Sequence, residues 1–345
     1  MEKKDIKSLY FPELCEMLLE MGEKPFRAGQ VFGWLHQKLV TDFSQMTDLS
    51  KELRRKLFDQ CFLTVLKPVQ VKVSRIDGTC KYLFKLADGN VIESVWMRYH
   101  HGSSVCISSQ VGCRMGCRFC ASTLDGLERN LTAAEMLEQV YRIEQLTGER
   151  VSHIVIMGSG EPFDNYDQVV RFLRLISHER GLHISLRNIT VSTCGIVPGI
   201  RRFAGEGLPV TLALSLHAPN DQVRKTLMPV AGSYPLKEVL AACREYFEAT
   251  GRRVTYEYSL VKGVNDNPGE ARALARLLKD MHGHVNLIPV NPVKERAFER
   301  SNKRAIKEFK EILEKEGIAV TVRREMGRDI QGACGQLRRS FLEGG

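Results

Sequence analysis

The chain has 345 residues, 43% hydrophobic and 26% charged, a balance ordinary for a soluble globular protein and against disorder as the leading reading. Fifty Lys and Arg against 41 Asp and Glu leave a formal charge of +9, which suits a polyanionic partner such as RNA and equally a basic enzyme without one. Glu2, Asp5, Glu13, Glu16 and Glu20 interrupt the N-terminal apolar residues, and no apolar run approaches the roughly 18 residues of a membrane span, so a cytoplasmic chain without signal peptide or membrane contact is expected.

The first elements predict a small helical domain over 1–62. Ile6, Leu9, Tyr10, Leu14, Met17, Leu18 and Met21 recur at helical spacing across 5–22, and a second helix is expected near 26–38. Ser50 is placed to cap a third helix over 51–60. Its Lys51, Arg54, Arg55 and Lys56 suit either RNA phosphates or a solvated face. A β-hairpin extension follows over 63–102, with strands 71–76, 80–86 and 91–99 punctuated by Asp77-Gly78 and Asp88-Gly89-Asn90. From 103 to 345 apolar strands (104–109, 153–157, 188–193, 209–215, 254–260, 284–289, 318–323) alternate with helical stretches near 132–147, 165–178, 236–249, 268–281 and 302–316. That alternation predicts parallel strands with crossover helices, too few to close an eight-fold barrel.

Ten cysteines in such a chain point to metal or thiol chemistry rather than a disulfide framework. Cys113-Arg-Met-Gly-Cys117-Arg-Phe-Cys120 follows the strand VCISSQV, and three thiolates this close can wrap one metal centre. A structural zinc site needs four closed ligands, and no fourth Cys or His lies close by in sequence, although His100, His101 or Cys106 could supply one. An iron–sulfur cubane usually takes four cysteines, so three leave one iron open to a ligand. The spacing favours that cluster. A zinc-stabilised, non-enzymatic RNA-binding protein is the alternative from a different class.

Further motifs fall at the C-terminal ends of successive strands, where barrel active sites are built. They are Met157-Gly158-Ser159-Gly160-Glu161-Pro162, Ser192-Thr193-Cys194-Gly195, Ser215-Leu216-His217-Ala218-Pro219, and Asn291 in NLIPVNP. Taken singly, Ser192 and Asn291 read as turn chemistry; recurring at equivalent places, the group reads as a ligand pocket. His217 is read as a pocket residue, with a satisfied structural histidine as the alternative. Cys334 sits between Gly332 and Gly335 with arginines nearby, a setting that favours thiolate. On the residues alone Cys106 and Cys334 equally read as small buried apolar groups.

The three-cysteine motif resembles the signature of the radical-SAM enzymes. Their open iron chelates the amino and carboxylate groups of S-adenosyl-L-methionine (SAM), and electron transfer then yields a 5′-deoxyadenosyl radical. From Glu93 to Leu337 the chain is similar to the RlmN/Cfr group of radical-SAM adenosine methyltransferases, in SSQVGCRMGCRFCAST, GSGEP, STCG, SLHAPN, LVKGVND, LIPVNP and DIQGACGQL; the N-terminal helices resemble the group's accessory domain. Ser159 stands where an apolar residue is common. The resemblance implies an α/β fold, a partial (open) βα barrel of the radical-SAM type with a helical accessory domain and a short hairpin extension. It implies a 4Fe-4S cluster on Cys113, Cys117 and Cys120. Two SAM molecules would be used per turnover, bound by Gly160, Glu161, Ser192, Ser215, Leu216, His217 and Asn291. The implied partners are 23S rRNA, tRNA and a low-potential electron donor such as flavodoxin or ferredoxin. Pro162, STCG and REMG resemble the branch that methylates adenine C2. A C8-directed rRNA methyltransferase conferring antibiotic resistance is the nearest alternative, since its chemistry can use the same cysteines. A glycyl-radical activase would need neither Cys106 nor Cys334.

The resemblance also implies a route. Cys334 takes a methyl group from one SAM, the deoxyadenosyl radical from a second removes hydrogen from that S-methyl group, and the methylene radical adds to C2. Glu93 accepts the C2 proton, although on the residues alone it reads as a solvated strand residue. Cys106 then attacks the Cys334 thioether, releasing methylated RNA and leaving a disulfide that must be reduced.

Overall fold

The computed structural model describes residues 3–100, 102–291 and 295–330. The chain begins with a two-residue strand β1 (Lys4–Asp5) and three helices, α1 (Phe11–Glu20), α2 (Phe26–His36) and α3 (Lys51–Gln60); β2 (Cys61–Phe62) pairs with β1 and closes this unit. The Ser50 hydroxyl caps α3 by accepting from the Leu53 N–H at 3.1 Å, as its position predicts. The expected single helix over 5–22 is instead a 3₁₀ turn at Ile6–Ser8 followed by α1. Pro12 sits in the first turn of α1, the one part of a helix where a missing N–H is harmless, so the helix starts there.

A ten-stranded sheet carries the rest. Three antiparallel strands, β3 (Lys67–Val73), β4 (Cys80–Lys85) and β5 (Val91–Tyr99), lead into β6 (Gly102–Ile107). A small ribbon of β7 (Gln110–Gly112) and β8 (Leu127–Asn130) brackets the cysteine loop. Then α4 (Ala133–Thr147), β9 (Val151–Ile156), α5 (Tyr166–Ile176), β10 (Ile189–Thr193), α6 (Val197–Ala204) and β11 (Thr211–Ser215) alternate. They are followed by α7 (Asp221–Leu227), α8 (Leu236–Thr250), β12 (Val254–Leu260), α9 (Pro268–Leu278), β13 (Gly283–Pro289), α10 (Lys303–Lys315) and β14 (Val320–Val322).

Strand order is β14-β13-β12-β11-β10-β9-β6-β5-β4-β3, with every pairing from β6 to β14 parallel. Among the described residues β14 and β3 do not pair, so the barrel is open. The crossover helices bury apolar faces on the sheet; Val169, Phe172, Leu173 and Ile176 of α5 join Ile154, Ile156, Ile189 and Val191 in one core. The helical unit packs on α4 and α5: His36 Nδ1 lies 2.8 Å from the Tyr141 hydroxyl, and Arg171 donates to Glu13. No helix among the described residues is long and apolar enough to cross a membrane.

Candidate active site

The parallel strands all point their C-terminal ends at the cysteine loop. The Cys113 N–H donates to the Gly126 carbonyl at 2.7 Å, the Arg118 N–H to Leu227 at 2.9 Å, and the Thr123 hydroxyl lies 3.0 Å from the carbonyls of Cys117 and Cys120. These bonds fold residues 113–123 over the barrel mouth. Cys113, Cys117 and Cys120 line one cavity of about 210 Å³ together with Gly160, Glu161, Ser192, Ser215 and His217. The structure thus brings five of the seven expected SAM-binding residues to the three cysteines. Leu216 is not among the lining residues; it is fully buried in the core and its carbonyl accepts from Arg224. Asn291 lines a neighbouring cavity of about 260 Å³.

That second cavity contains Cys106. Phe119, Cys120, Ser259, Ile288 and Arg323 line both spaces, so the Cys106 thiol lies one side-chain layer from the cysteine loop. Cys106 is buried on β6 opposite Val95 and packs with Val95, Met97 and Met326. Glu93 occupies the same strand as Val95 and Met97 at even spacing, hence the same face of β5. It is 5% exposed and paired with the buried Lys81 at 3.0 Å, which corrects the solvated reading drawn from its residue type alone. Glu93 is not among the residues lining either cavity. Cys334 and His101 lie outside the described residues.

The cysteines fit an iron–sulfur cluster. Burial pushes the Cys113 thiol up to about 12 and the Cys117 thiol further, so metal ligation is what would make them thiolates. Among the described residues no three His, Cys, Asp or Glu side chains converge on a single-ion site, whereas a cubane takes each thiolate on a separate iron. His100 and Cys106, the described candidates for a fourth zinc ligand, do not line the three-cysteine cavity.

Glu161 is fully buried and bridges two loops, its oxygens accepting from the N–H groups of Phe163 at 3.1 Å and Cys194 at 2.7 Å. Burial raises its pKa. Gly160 has φ +111, and a Cβ there would meet Gln110 at 2.7 Å. Glycine is therefore required by the approach of this loop to Ser109-Gln110, independently of any ligand. Ser159, the departure noted in the sequence, turns its hydroxyl to the Gly112 carbonyl at 3.3 Å and is not among the cavity-lining residues.

His217 is both a pocket residue and a satisfied one. Its φ of +58 is unusual for a residue with a side chain, and Asn265 of the LVKGVND motif holds the strained turn by donating to the His217 and Ser259 carbonyls. Its Nδ1 accepts from the Ser259 N–H at 2.9 Å, which puts the proton of the neutral ring on Nε2. Burial, then the Arg224 guanidinium, push its pKa down to about 3. An unfolded histidine titrates near 6.5, so the unfolded chain binds the extra proton first. This stabilisation is present above pH ~6.5 and is lost as pH falls toward 3. Between pH 7.5 and 5.5 the wild type is expected to lose about 1.4 kcal/mol more than His217→Asn, read from urea midpoints at the two pH values.

Sequence reading missed Glu257 and Arg224. Glu257 lies on β12 in register with Ser215 and Asn286, lines the cysteine cavity, and accepts from the Asn286 amide at 2.9 Å. Burial raises its pKa and Arg323 opposes that. Arg224 is fully buried and donates to the carbonyls of Cys194, Ser215 and Leu216, fastening the ends of β10 and β11. The alternating charge of the α7 sequence DQVRKTL gave no signal that one arginine turns inward.

Fold and site together define a radical SAM enzyme: residues 107–275 match the Radical SAM superfamily model, and residues 5–63 match the ribosomal RNA large subunit methyltransferase N-terminal domain. The "Probable dual-specificity RNA methyltransferase RlmN" of Lachnoclostridium phytofermentans is 63% identical over 342 residues, covering 99% of this chain and 96% of the relative. That of Lachnospira eligens is 58% identical, covering 98% and 97%. A crystal structure of a radical SAM methyltransferase from Sphaerobacter thermophilus superposes with TM-score 0.92 at 46% identity, covering 96% of this chain and 98% of that one. The chain belongs to the RlmN family of radical-SAM RNA methyltransferases. The family's cofactors are a 4Fe-4S cluster and SAM.

Proposed function

We propose that this enzyme methylates C2 of an adenosine in the peptidyl-transferase centre of 23S rRNA and of the adenosine next to the anticodon in tRNA. The observation that carries the chemistry is the common wall between the two cavities, which sets the Cys106 thiol beside the cysteine loop. Dual specificity is supported by the names of the relatives and by the basic charge of +9.

Cys113, Cys117 and Cys120 would hold the cluster, and Gly160, Glu161, Ser192, Ser215, His217 and Asn291 would surround SAM. When bound, cluster and SAM supply the 5′-deoxyadenosyl radical. The chain's own residues do the rest. Cys334 would accept a methyl group as S-methylcysteine and carry it as a methylene radical to C2. Glu93 would take the C2 proton as the adduct gives one electron to the one-electron couple the cluster would supply. The Cys106 thiolate would then attack the Cys334 sulfur, forming the disulfide as the C–S bond breaks, its electron pair leaving with the methylene carbon, which takes up a proton to become the methyl group. The target adenine must be unstacked to enter, which favours a loop over a duplex. Arg300, Arg323 and Arg324 on the wall of the Cys106 cavity suit the neighbouring phosphates. The enzyme would work in the cytoplasm, where its RNA substrates lie, reduced by a flavodoxin or ferredoxin.

Nucleoside mass spectrometry of RNA treated with reconstituted enzyme tests this reading. The expected product is 2-methyladenosine in both RNAs; 8-methyladenosine would overturn the C2 assignment. Anaerobic metal analysis should give four irons and four sulfides per chain, with Cys113→Ala losing them. Zinc alone would overturn the cluster.

A further inference from the structure

The strand order leaves β14 at one edge of the sheet and β3 at the other. The chain leaving β14 nevertheless reaches the opposite edge. Arg323, Arg324, Glu325 and Met326 line the Cys106 cavity, and Met326 packs in the Cys106 cluster. The next residues then bind the turn between β3 and β4. Asp329 accepts from the Ser74 hydroxyl at 2.6 Å through one oxygen and from the Arg75 N–H at 2.9 Å through the other. In return Asp77 accepts from the Gly327 N–H at 2.9 Å.

The turn is built to receive this contact. Ser74 and Thr79 are buried and close it with a 2.8 Å backbone bond, and the Ser74 oxygen also accepts from the N–H groups of Ile76 and Asp77. Gly327 has φ +62, and a Cβ would come within 3.1 Å of Thr79 Cγ2, so a side chain there would crowd the turn. Ile330 is buried beyond it, its N–H donating to the Gly327 carbonyl at 3.2 Å. Two carboxylates thus each satisfy backbone across the gap, between segments some 250 residues apart.

We infer that this reciprocal clasp across the open side of the barrel makes Asp329 a positioning residue for the methyl-carrying thiol. Cys334 follows Asp329 by five residues, which limits its reach from the clasp to roughly 17 Å. The clasp therefore holds the origin of that segment beside the Cys106 cavity and raises the effective concentration of Cys334 there. The inference rests on the reading of Cys334 as methyl carrier.

Both can be tested in one experiment on the reconstituted full-length enzyme. The Cys334 peptide is followed by mass spectrometry for a methyl group after SAM is added without RNA, and SAM affinity is measured in parallel. Asp329→Ala is expected to slow S-methylation by about tenfold to a hundredfold with SAM affinity unchanged, the cost of a thiol out of place. Asp329→Asn is expected to restore only part of the rate, because its one amide oxygen can keep a single bond, to the Ser74 hydroxyl or the Arg75 N–H, while the Ser74 oxygen already accepts twice and cannot take its NH2. Asp77→Ala, which removes the Gly327 bond together with the turn's own bond from the Thr79 N–H but leaves Asp329 in place, should give an intermediate rate and stands in if Asp329→Ala does not fold. Equal S-methylation in the wild type and in the alanine variants overturns the clasp. Failure of the wild type to methylate Cys334 overturns the underlying reading instead.

Discussion

Cys334→Ala is expected to abolish adenosine methylation, whereas Cys106→Ala is expected to leave the enzyme covalently joined to its RNA. These two outcomes are expected to differ because the proposed route uses the thiols at different stages. C2 of adenine is an electron-poor amidine carbon, so a methyl group cannot reach it by simple displacement from SAM and has to arrive on a carrier. Without the Cys334 sulfur there is no carrier, and turnover should fall by on the order of 10³-fold or more, as for loss of other covalent nucleophiles. Without the Cys106 sulfur the carrier still adds to RNA, but nothing attacks the thioether to release it. The place of Cys106 supports this division: it is buried in an apolar wall of Val95, Met97 and Met326, yet opens on the cavity beside the cysteine loop. Nucleoside mass spectrometry reads the first outcome. A nuclease-sensitive band on a denaturing gel reads the second. Unimpaired turnover by both variants would sink the route.

What the sequence made legible followed from periodicity and local chemistry. Short segments such as Ile189–Thr193 and Thr211–Ser215, alternating with helical stretches, read as parallel strands, and the cysteine triplet carries its own spacing. Ser50 announced α3 because a cap acts within three residues. What stayed hidden depends on partners far away in sequence. Glu93 reads as a solvated strand residue until β4 places Lys81 against it. Glu257 looks like any acidic residue on a strand until its neighbours in register prove to be Ser215 and Asn286. The contact of Asp329 with Ser74 and Arg75 has no periodicity at all, being made by a turn and a tail from opposite edges of the sheet. Long-range polar pairs of this kind are what single-sequence reading lacks, and here they gather around the site.

The same absence of a local signal conceals a large stability effect expected of a single substitution. Lys7 and Glu138 are both fully buried between the helical unit and α4, with Nζ 2.6 Å from Oε1. Lys7 also donates to the Thr64 carbonyl, while the second Glu138 oxygen accepts from the Leu66 N–H and lies 3.1 Å from Arg142 Nε. One carboxylate therefore serves two cations, and the two sides of the pair are not equivalent. Removing Lys7 leaves Glu138 still neutralised by Arg142. Removing the charge of Glu138 leaves two cations facing each other with only the weaker pull of Asp5 on Lys7, and burial already holds the Lys7 pKa down. Glu138→Gln, which can keep the bond to Leu66, is expected to cost about 3–5 kcal/mol. Lys7→Met should cost clearly less, and the double variant should recover part of the Glu138→Gln loss because the stranded ammonium is gone. Urea denaturation of the two single variants and the double variant measures the coupling directly. Equal losses for the two single variants would mean that Arg142 does not share the carboxylate.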